Sequence, residues 1–264
     1  MDLQLRGKRA VVSGSTAGIG LAIARALAQE GAAVVVNGRA QARVDAAVEA
    51  VRRDAPGAEV RGVVADLGTA QGCAKVVQAS PDADVLVNNL GIFEAKPFPD
   101  ITDAEWLRFF EVNVLSGVRL ARAYLPGMLA RNWGRILFIS SESGLQIPLE
   151  MVHYGMTKTA QLAVARGLAE STRGTAVTVK AILPGPTRSE GVQELVSGLA
   201  TQQGKGAEEV ERAFFQTARP TSILQRFEAP EEIAALVAFV ASPRASGVNG
   251  AALRVDGGVV RAIP

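Results

Sequence analysis

Tyr154 and Lys158 lie four residues apart, in a stretch that reads as an apolar strand at 136–139, a loop and then a helix. On a helix this spacing places both side chains on one face. An ammonium group beside a phenol favours the phenolate and lowers the phenol pKa from about 10, which helps it to exchange a proton with a substrate oxygen. An ordinary amphipathic helix also carries Tyr and Lys at this spacing, so the pair needs support from the rest of the chain.

A glycine-rich turn, SGSTAGIG at 13–20, lies between an apolar strand and an Ala-rich helical segment, and a second apolar strand follows at 33–36. Gly14, Gly18 and Gly20 allow unusual backbone angles and a close approach of the backbone to a pyrophosphate. The N-terminus of the following helix also favours an anion. The pattern predicts a dinucleotide site, and an ordinary glycine-rich turn is the alternative.

The end of the second strand bears on the choice of cofactor. It reads Asn37, Gly38 and Arg39 and contains no acidic residue. In dinucleotide-binding folds an acid at this place binds the ribose 2′-hydroxyl of NAD, whereas an arginine accommodates the 2′-phosphate of NADP. Arg39 offers a guanidinium fork that suits phosphate, so we expect NADP(H) to be favoured over NAD(H). A solvated loop cation is the alternative reading of Arg39.

Apolar strands alternate with helical segments along the chain. After the first two, further strands are predicted at 60–65, 85–87, 136–139, 177–183 and 251–255. The alternation predicts one α/β domain over 1–264, a three-layer doubly wound Rossmann fold with a parallel sheet of about seven strands. Ligands of such folds bind outside the carboxyl ends of the strands, so we expect the residues that follow strands to meet there. These are the glycine-rich turn, Asp66, Asn88, Ser141 and Pro184.

Polar residues at two of these strand ends have structural alternatives. Asp66, followed by Leu67, can accept a hydrogen bond from an adenine amine, or it can be the N-cap of the next helix. Asn88 and Asn89 are consecutive, and their amides can tie neighbouring loops together.

One long helix is predicted from 102 to 128. Thr102 and Glu105 have the spacing of a capping box, which marks its start. Pro126 is expected to kink or shorten its end. Asn113 lies inside this helix, where asparagine is mildly unfavourable and often faces solvent.

The stretch 188–225 is predicted to be a lid over the substrate. It lacks strand alternation and holds two helix-like pieces, at 192–199 and 207–217. An excursion of this length between core elements is often a functional lid. Three of its side chains suggest an apolar pocket: Phe214, Phe215 and Ile223.

The composition argues against several classes of protein. The chain has a formal net charge of +2 and its basic residues are scattered, so we do not expect it to bind nucleic acid. It has one cysteine, Cys73, and one histidine, so we expect neither a disulfide nor a metal site. No signal peptide or membrane-spanning run is evident, which favours a cytoplasmic protein without a membrane partner.

Taken together, these motifs resemble those of the short-chain dehydrogenase/reductase family, over nearly the whole chain. The glycine-rich turn stands where the family has T-G-x-x-x-G-I-G, and NNLG at 88–91 matches its N-N-A-G. Asp66 and Leu67 match its adenine-contacting pair, and PGPTRS at 184–189 matches its P-G-x-x-x-T. The positions of the family's catalytic tetrad hold Asn113, Ser141, Tyr154 and Lys158.

The resemblance implies a role for each member of the tetrad. Tyr154 would be the general acid in carbonyl reduction and the base in alcohol oxidation, and Lys158 would lower its pKa and bind the nicotinamide ribose. Ser141 would hold the substrate oxygen, and Asn113 would anchor a water that connects Lys158 to solvent. The implied cofactor contacts, besides Arg39, are Gly14, Ser15, Thr16, Gly18, Ile19, Gly20, Asp66, Leu67, Asn88, Gly91, Tyr154, Lys158, Pro184, Gly185, Thr187 and Ser189.

The chain also departs from the family pattern. Leu90 replaces an alanine, Ala17 replaces the basic residue of many NADP-dependent relatives, and Lys180 stands where an asparagine is common. His153 adjoins Tyr154, but a neighbour on a helix points about 100° away, so we expect it to pack or to line the substrate pocket. Glu142 and Glu150 are expected to be loop carboxylates, either of which could line the pocket.

The expected function is NADP(H)-dependent hydride transfer between nicotinamide and a carbonyl/alcohol pair, as in a ketone or aldehyde reductase. One alternative is a 3-oxoacyl-thioester reductase that acts on an acyl carrier protein, which a basic patch would favour, with Arg131 and Arg135 as candidates. Another is a non-catalytic sensor that binds NADP(H). The resemblance further implies a homo-oligomer, a tetramer or a dimer, that pairs the helices around Asn113 and Tyr154.

Overall fold

A sheet of seven strands runs through the protein, whose computed structural model describes residues 1–263, with the backbone alone at 194, 195, 199, 202 and 203. In chain order the strands are β1 (Arg9–Val12), β2 (Ala33–Gly38), β3 (Val60–Val64), β4 (Val85–Asn88), β5 (Gly134–Ile139), β6 (Val177–Pro184) and β7 (Ala252–Val255). Their order in the sheet is β3-β2-β1-β4-β5-β6-β7, and all neighbours are parallel. The order reverses between β1 and β4, which is where doubly wound sheets bind ligands.

Helices follow most of the strands. They are α1 (Gly18–Gln29), α2 (Gln41–Asp54), α3 (Ala70–Ala79), α4 (Asp103–Phe110), α5 (Ser116–Ala130), α6 (Val152–Glu170), α7 (Glu190–Gln203), α8 (Ala207–Thr217) and α9 (Pro230–Ala241). Within residues 1–263, none of these helices is long and apolar enough to cross a membrane.

The helices cover both faces of the sheet. Helices α1, α2 and α9 pack with strand side chains such as Val12 and Val36 in one apolar layer, and α3, α5 and α6 pack with Val11 and Val35 in the other. Consecutive residues of a strand therefore point into opposite layers. Because both faces of the sheet are buried, apolar residues predominate along the strands. The predicted three-layer doubly wound α/β fold is confirmed.

The segment predicted as one helix from 102 to 128 has a different construction. Its start is confirmed, because Thr102 and Glu105 form the reciprocal hydrogen bonds of a capping box. Between α4 and α5, however, the chain makes a π-helical turn at Glu111–Leu115, and Asn113 lies in this turn. Of the two effects expected of Pro126, a kink or a shortened end, the shortening is wrong, since α5 continues to Ala130.

The excursion at 188–225 forms α7 and α8 and then an irregular segment that leads to α9. Helix α8 has the predicted bounds, and α7 is longer at both ends than the predicted 192–199. Phe214 and Phe215 of α8 contact each other and Phe227, which joins the excursion to the segment before α9. The expectation for Ile223 is wrong: its side chain is 84% exposed and is not part of an apolar pocket.

Candidate active site

The carboxyl ends of β1, β4, β5 and β6 border a cavity of about 860 Å³, which α6, α7 and α8 close from the other side. The structure brings together eleven of the residues that the sequence analysis selects. They are Gly18, Ile19, Gly20, Gly91, Ser141, Tyr154, Lys158, Pro184, Gly185, Thr187 and Ser189, and all line this cavity. A single space therefore connects the glycine-rich turn with the Tyr-Lys pair.

The glycine-rich turn fits a phosphate group. Gly14 and Gly18 have positive φ angles of 60° and 52°, and a Cβ atom at Gly20 would overlap the Gly14 carbonyl oxygen. The N-cap of α1 is Ala17, which has no side-chain acceptor for the first N–H groups, and no acidic residue lies in the first turn. These N–H groups and the helix dipole can therefore serve an anion.

Two asparagines hold the turn in place. Asn89 Nδ2 donates to the carbonyl oxygens of Ser13 and Gly14, at 3.1 and 2.9 Å, so it ties two loops together as the sequence predicts. Asn37 Nδ2 donates to Val63 and Ala65, and its Oδ1 accepts from Gly14 N at 3.3 Å. Sequence reasoning missed Asn37, although a polar residue at the end of VVV is a signal for such a contact.

Several predicted cofactor residues do not line the cavity. Ser15 is buried, and its hydroxyl donates to Val12 O and accepts from Asn37 N. Asn88 is 3% exposed, and neither atom of its side-chain amide has a partner among the described residues. The remaining ones lie around the cavity or beyond it: Gly14, Thr16, Arg39, Asp66 and Leu67.

Asp66 and Leu67 follow β3 in different environments. Leu67 is buried in the apolar layer of α3, α5 and α6. Asp66 is exposed, and its Oδ1 accepts a hydrogen bond from Gly68 N at 3.0 Å. The alternative that Asp66 is the N-cap of the next helix is wrong, because Thr69 caps α3 by accepting from Gly72 N.

Tyr154 and Lys158 lie on one face of α6, as the spacing predicts. The Lys158 Nζ lies 5.5 Å from the centroid of the Tyr154 ring. It donates to Ile139 O at the end of β5, at 3.0 Å, and to Gln161 Oε1, at 3.3 Å. Because Lys158 is buried away from water, its pKa falls to about 8.

The expectation that Lys158 lowers the pKa of Tyr154 is wrong for this structure. Burial raises the pKa of Tyr154 above its ordinary value, because the phenolate loses its hydration. The Ser141 side chain and the positive charge of Arg219 lower this pKa, but burial outweighs both, and the negative charge of Glu142 raises the pKa further. The phenol therefore remains protonated at neutral pH.

Asn113 lies behind the cavity rather than facing solvent. Its Oδ1 accepts from Ile92 N at 2.7 Å, and its Nδ2 donates to Ile92 O and Thr157 Oγ1. Its backbone oxygen accepts from Gln161 Nε2 at 2.6 Å. Gln161, which sequence reasoning missed, thus links Asn113 to Lys158 by two direct hydrogen bonds. Its position three residues after Lys158, on the same helical face, was the available signal.

Glu228 is a second residue that the sequence analysis missed. It is 3% exposed, and its Oε2 accepts from Gly185 N at 3.1 Å, in the loop after β6. Its backbone also exchanges hydrogen bonds with Pro186 and Arg188. Burial raises the pKa of the Glu228 carboxyl to about 7. Glu228 therefore holds the loop after β6, which contains Gly185 and Thr187, against the body of the protein.

His153 and Lys180 are both buried in the protein. His153 packs between Trp106 and Phe109, with a distance of 4.0 Å between the centroids of His153 and Phe109, so its packing role is confirmed. Lys180 does not reach solvent: its Nζ is buried and donates to Thr178 Oγ1 and Val240 O.

The two arginines considered for a carrier-protein patch do not form one. Arg135 is 1% exposed, and its Nη1 donates to the carbonyl oxygens of Gly134 and Ala176. Arg131 Nε pairs with Asp84 at 3.2 Å. Both lie near the start of β5, at the end of the sheet opposite the cavity. This expectation is therefore wrong.

A doubly wound sheet with a glycine-rich turn at its switch point and a Tyr-Lys pair in the same cavity defines a nicotinamide-dependent oxidoreductase. Residues 14–260 match the family model described as enoyl-(acyl carrier protein) reductase. The chain is 49% identical over 263 residues to the uncharacterized oxidoreductase YvaG of Bacillus subtilis, and the match covers 100% of both chains. The protein belongs to the short-chain dehydrogenase/reductase family, and it is an oxidoreductase that acts on hydroxyl and carbonyl groups.

Two relatives of named activity are also similar along their whole length. The chain is 35% identical over 260 residues to D-beta-hydroxybutyrate dehydrogenase of Cupriavidus necator, covering 97% of this chain and 99% of that one. The crystal structure of L-sorbose reductase from Gluconobacter frateurii, complexed with NADPH and L-sorbose, superposes with a TM-score of 0.94 at 31% identity and covers 100% of both chains.

Proposed function

We propose that the protein is an NADP(H)-dependent reductase of a small ketone or aldehyde, and that it catalyses the reverse alcohol oxidation with the same residues. The observation that carries this proposal is the shared cavity, in which Ser141, Tyr154 and Lys158 line the space that also reaches Gly18 and Gly20. The nicotinamide cofactor, when bound, supplies or accepts the hydride. The chain supplies the binding surface, the orientation of the substrate and the proton.

Tyr154 is proposed as the residue that exchanges the proton with the substrate oxygen. Its raised pKa keeps the phenol protonated at neutral pH, and a general acid in carbonyl reduction must carry this proton. Ser141 holds the same oxygen from the end of β5. The Lys158 ammonium, fixed by Ile139 and Gln161, supplies a positive charge beside the phenol. Asn113 is proposed to keep Gln161, and through it Lys158, in place.

The preference for NADP(H) is proposed from the end of β2. Arg39 is exposed directly after this strand and carries a guanidinium that suits a 2′-phosphate. Gly38 leaves no space for a side chain, since a Cβ atom there would lie 2.5 Å from Thr16 Cγ2. The relative that acts on L-sorbose was crystallised with NADPH, which supports the same choice.

The cavity supports a small uncharged substrate better than a thioester on a carrier protein. Exposed carboxylates, Glu94 and Glu150, line the cavity beside the apolar side chains of Phe93 and Phe214. Acidic partners are repelled by such carboxylates. The stretch 188–225, with α7 and α8, is proposed as the lid that selects the substrate. The whole chain, 1–264, is proposed to form a single domain.

Self-association is proposed on the apolar side chains that α4 leaves accessible. Leu107 is 70% exposed and Phe110 is 37% exposed. Light scattering coupled to size-exclusion chromatography should give the mass of a dimer or tetramer, and a monomer at all concentrations would contradict this part of the proposal.

The function is tested by following NADPH and NADH oxidation over a panel of ketones, aldehydes, sugars with a keto group and 3-oxoacyl thioesters. We expect turnover of at least one ketone or aldehyde with NADPH, and weaker turnover with NADH. Preference for the thioesters would replace the proposed substrate class. Tight binding of NADPH without turnover of any carbonyl would contradict the proposed reaction.

A further inference from the structure

A buried ion pair joins the lid to the loop that carries Ser141. Arg219, which follows α8, is 8% exposed, and Glu142, which follows Ser141, is 3% exposed. The Arg219 Nε donates to Glu142 Oε1 at 2.8 Å. Both residues line the cavity, and 77 positions separate them in the sequence. The pair therefore bridges two segments that the fold brings together at the site itself.

The other oxygen of Glu142 holds the serine. Glu142 Oε2 accepts a hydrogen bond from Ser141 Oγ at 2.7 Å and a short one from Ser143 Oγ. A carboxylate only accepts hydrogen bonds, so the Ser141 hydroxyl hydrogen must point at Glu142. Ser141 Oγ also accepts from Ser143 N at 3.1 Å. These two contacts fix the side-chain rotamer of Ser141, and its second lone pair remains to accept a hydrogen bond from the hydroxyl group of an alcohol in the cavity.

Arg219 is itself held on the lid side. Its Nη1 donates to Ala218 O at 2.8 Å and lies 3.4 Å from Glu150 Oε1, and its guanidinium lies 5.9 Å from the centroid of the Phe214 ring. A buried charge that loses its partner is strongly destabilised. The position of the lid and the position of the Glu142 carboxylate are therefore coupled through Arg219.

We propose that Glu142 and Arg219 are positioning residues for Ser141. Arg219 sets the Glu142 carboxylate, the carboxylate sets the rotamer of Ser141, and Ser141 then accepts a hydrogen bond from the hydroxyl of the alcohol substrate in one orientation when the lid is in place. The inference rests on the proposed function in one respect, that Ser141 contacts the substrate oxygen. It adds that the lid acts on the chemical step and not only on substrate selection.

A double-mutant cycle between Ser141→Ala and Glu142→Gln tests the link. Loss of a hydrogen bond to a charged group predicts that E142Q lowers kcat for alcohol oxidation by about 10-fold, with a smaller change in KM. If Glu142 acts through Ser141, the double variant S141A/E142Q loses no more activity than S141A alone. NADPH affinity, measured by the fluorescence of the bound nucleotide, should stay within about 2-fold in all variants, since the pair does not contact the glycine-rich turn.

The matched control is Glu170→Gln, which breaks an exposed ion pair with Arg166 on α6 and should leave kcat unchanged. If the fold-loss of kcat in S141A/E142Q equals the product of the losses in the two single variants, the proposal is overturned, because Glu142 then acts independently of Ser141. Wild-type kcat in E142Q would overturn it as well. If the wild type turns over no carbonyl at all, the proposed function fails instead, so the two failures are distinguishable.

Variants of Arg219 test whether the lid contact acts on Ser141 through Glu142. Arg219→Met should lower kcat as E142Q does, and should add nothing in the E142Q background. Arg219→Lys keeps the charge and should retain more activity than Arg219→Met, while thermal unfolding confirms that each variant is folded. Equal activity of wild type and Arg219→Met would show that Ser141 does not depend on the lid contact.

Discussion

Lys158 combines a buried position with a proposed function that needs its charge. Its Nζ has the Ile139 carbonyl and the Gln161 amide oxygen as partners and no carboxylate among them. Neutral oxygens return only part of the hydration that the ammonium loses, so its pKa is lowered to about 8. A modest rise in pH therefore removes the charge beside Tyr154.

This predicts a pH dependence for carbonyl reduction. Lys158 is charged below about pH 8 and neutral above it, whereas the raised pKa of Tyr154 keeps the phenol protonated through this range. We expect kcat/KM for reduction to fall as pH increases through about 8, measured by steady-state rates from pH 6 to 10. In Lys158→Arg, which does not titrate there, the fall should disappear even if the rate is lower. A flat wild-type profile up to pH 10 would contradict the assignment.

Gln161 gives a second prediction at the scale of one residue. Gln161→Leu removes the acceptor of Lys158 and the donor to Asn113 O, at a site that is 1% exposed. We expect the descending limb of the pH profile to move below pH 8, because the ammonium loses one partner, and kcat to fall by about 10-fold. A profile that is identical to that of the wild type would mean that Gln161 only fills space.

The sequence predicts the residues of this site better than their partners. Tyr154, Lys158 and Ser141 are recognisable because helical spacing and a strand end bring them together within one short stretch. The partners that set their properties, Gln161 and Arg219, depend on side-chain contacts across the fold. Burial also reverses the predicted direction of the Tyr154 pKa, since the sequence does not give the loss of hydration.

At the scale of elements, the turn between β1 and α1 and the end of β2 are proposed to form one cofactor surface. Asn37 joins them, because its Oδ1 accepts from Gly14 while its amide nitrogen donates to Val63 and Ala65 at the end of β3. The side-chain amide of Asn37 is therefore engaged in hydrogen bonds within the protein. Arg39, two residues later and exposed, is the residue proposed to distinguish the two cofactors.

Arg39→Ser is predicted to change this preference. Removing one charge-assisted contact to a phosphate should weaken NADPH binding by about 10- to 100-fold and leave NADH binding unchanged within about 2-fold. Titration of each nucleotide against protein fluorescence gives both dissociation constants. Arg43→Ser, on α2 and paired with Glu190 at the surface, is the matched control. Equal losses for both nucleotides in Arg39→Ser would contradict the NADP(H) assignment.

The bounds of most elements could be predicted, but the π-helical turn at Glu111–Leu115 could not. Apolar runs identify all seven strands, because a parallel sheet is buried on both faces. The π-helical turn contains neither proline nor glycine. It surrounds Asn113, whose side chain bonds to Ile92 and Thr157, 21 and 44 positions away. No local pattern reports such contacts.

At the scale of the whole molecule, Lys180 places a titratable group in the core between β6 and α9. Its Nζ donates to Thr178 Oγ1 and Val240 O. Burial and the nearby charge of Arg135 lower its pKa to about 7. Its pKa in the unfolded chain is about 10.4, so the unfolded chain binds the proton between these values and the folded protein does not.

Stability should therefore depend on pH through Lys180. The penalty for burying its charge is fully present below pH 7 and is relieved as pH rises toward about 10. Lys180→Met removes this dependence. We expect the free energy of unfolding of the wild type, relative to Lys180→Met, to increase from pH 7 to 10 in urea denaturation. In Lys180→Met, Thr178 loses its hydrogen-bond partner, which shifts the free energy of unfolding by the same amount at every pH. A difference between the wild type and the variant that stays constant with pH would therefore contradict the assignment.

The most direct test of the central claim compares the wild type with Tyr154→Phe in NADPH-dependent reduction of the best ketone from the panel. Loss of the general acid should lower kcat by about 10³-fold, while the dissociation constant of NADPH stays within about 2-fold, because the phenol oxygen does not hold the phosphates. A Tyr154→Phe variant that reduces the ketone at the rate of the wild type would contradict the account.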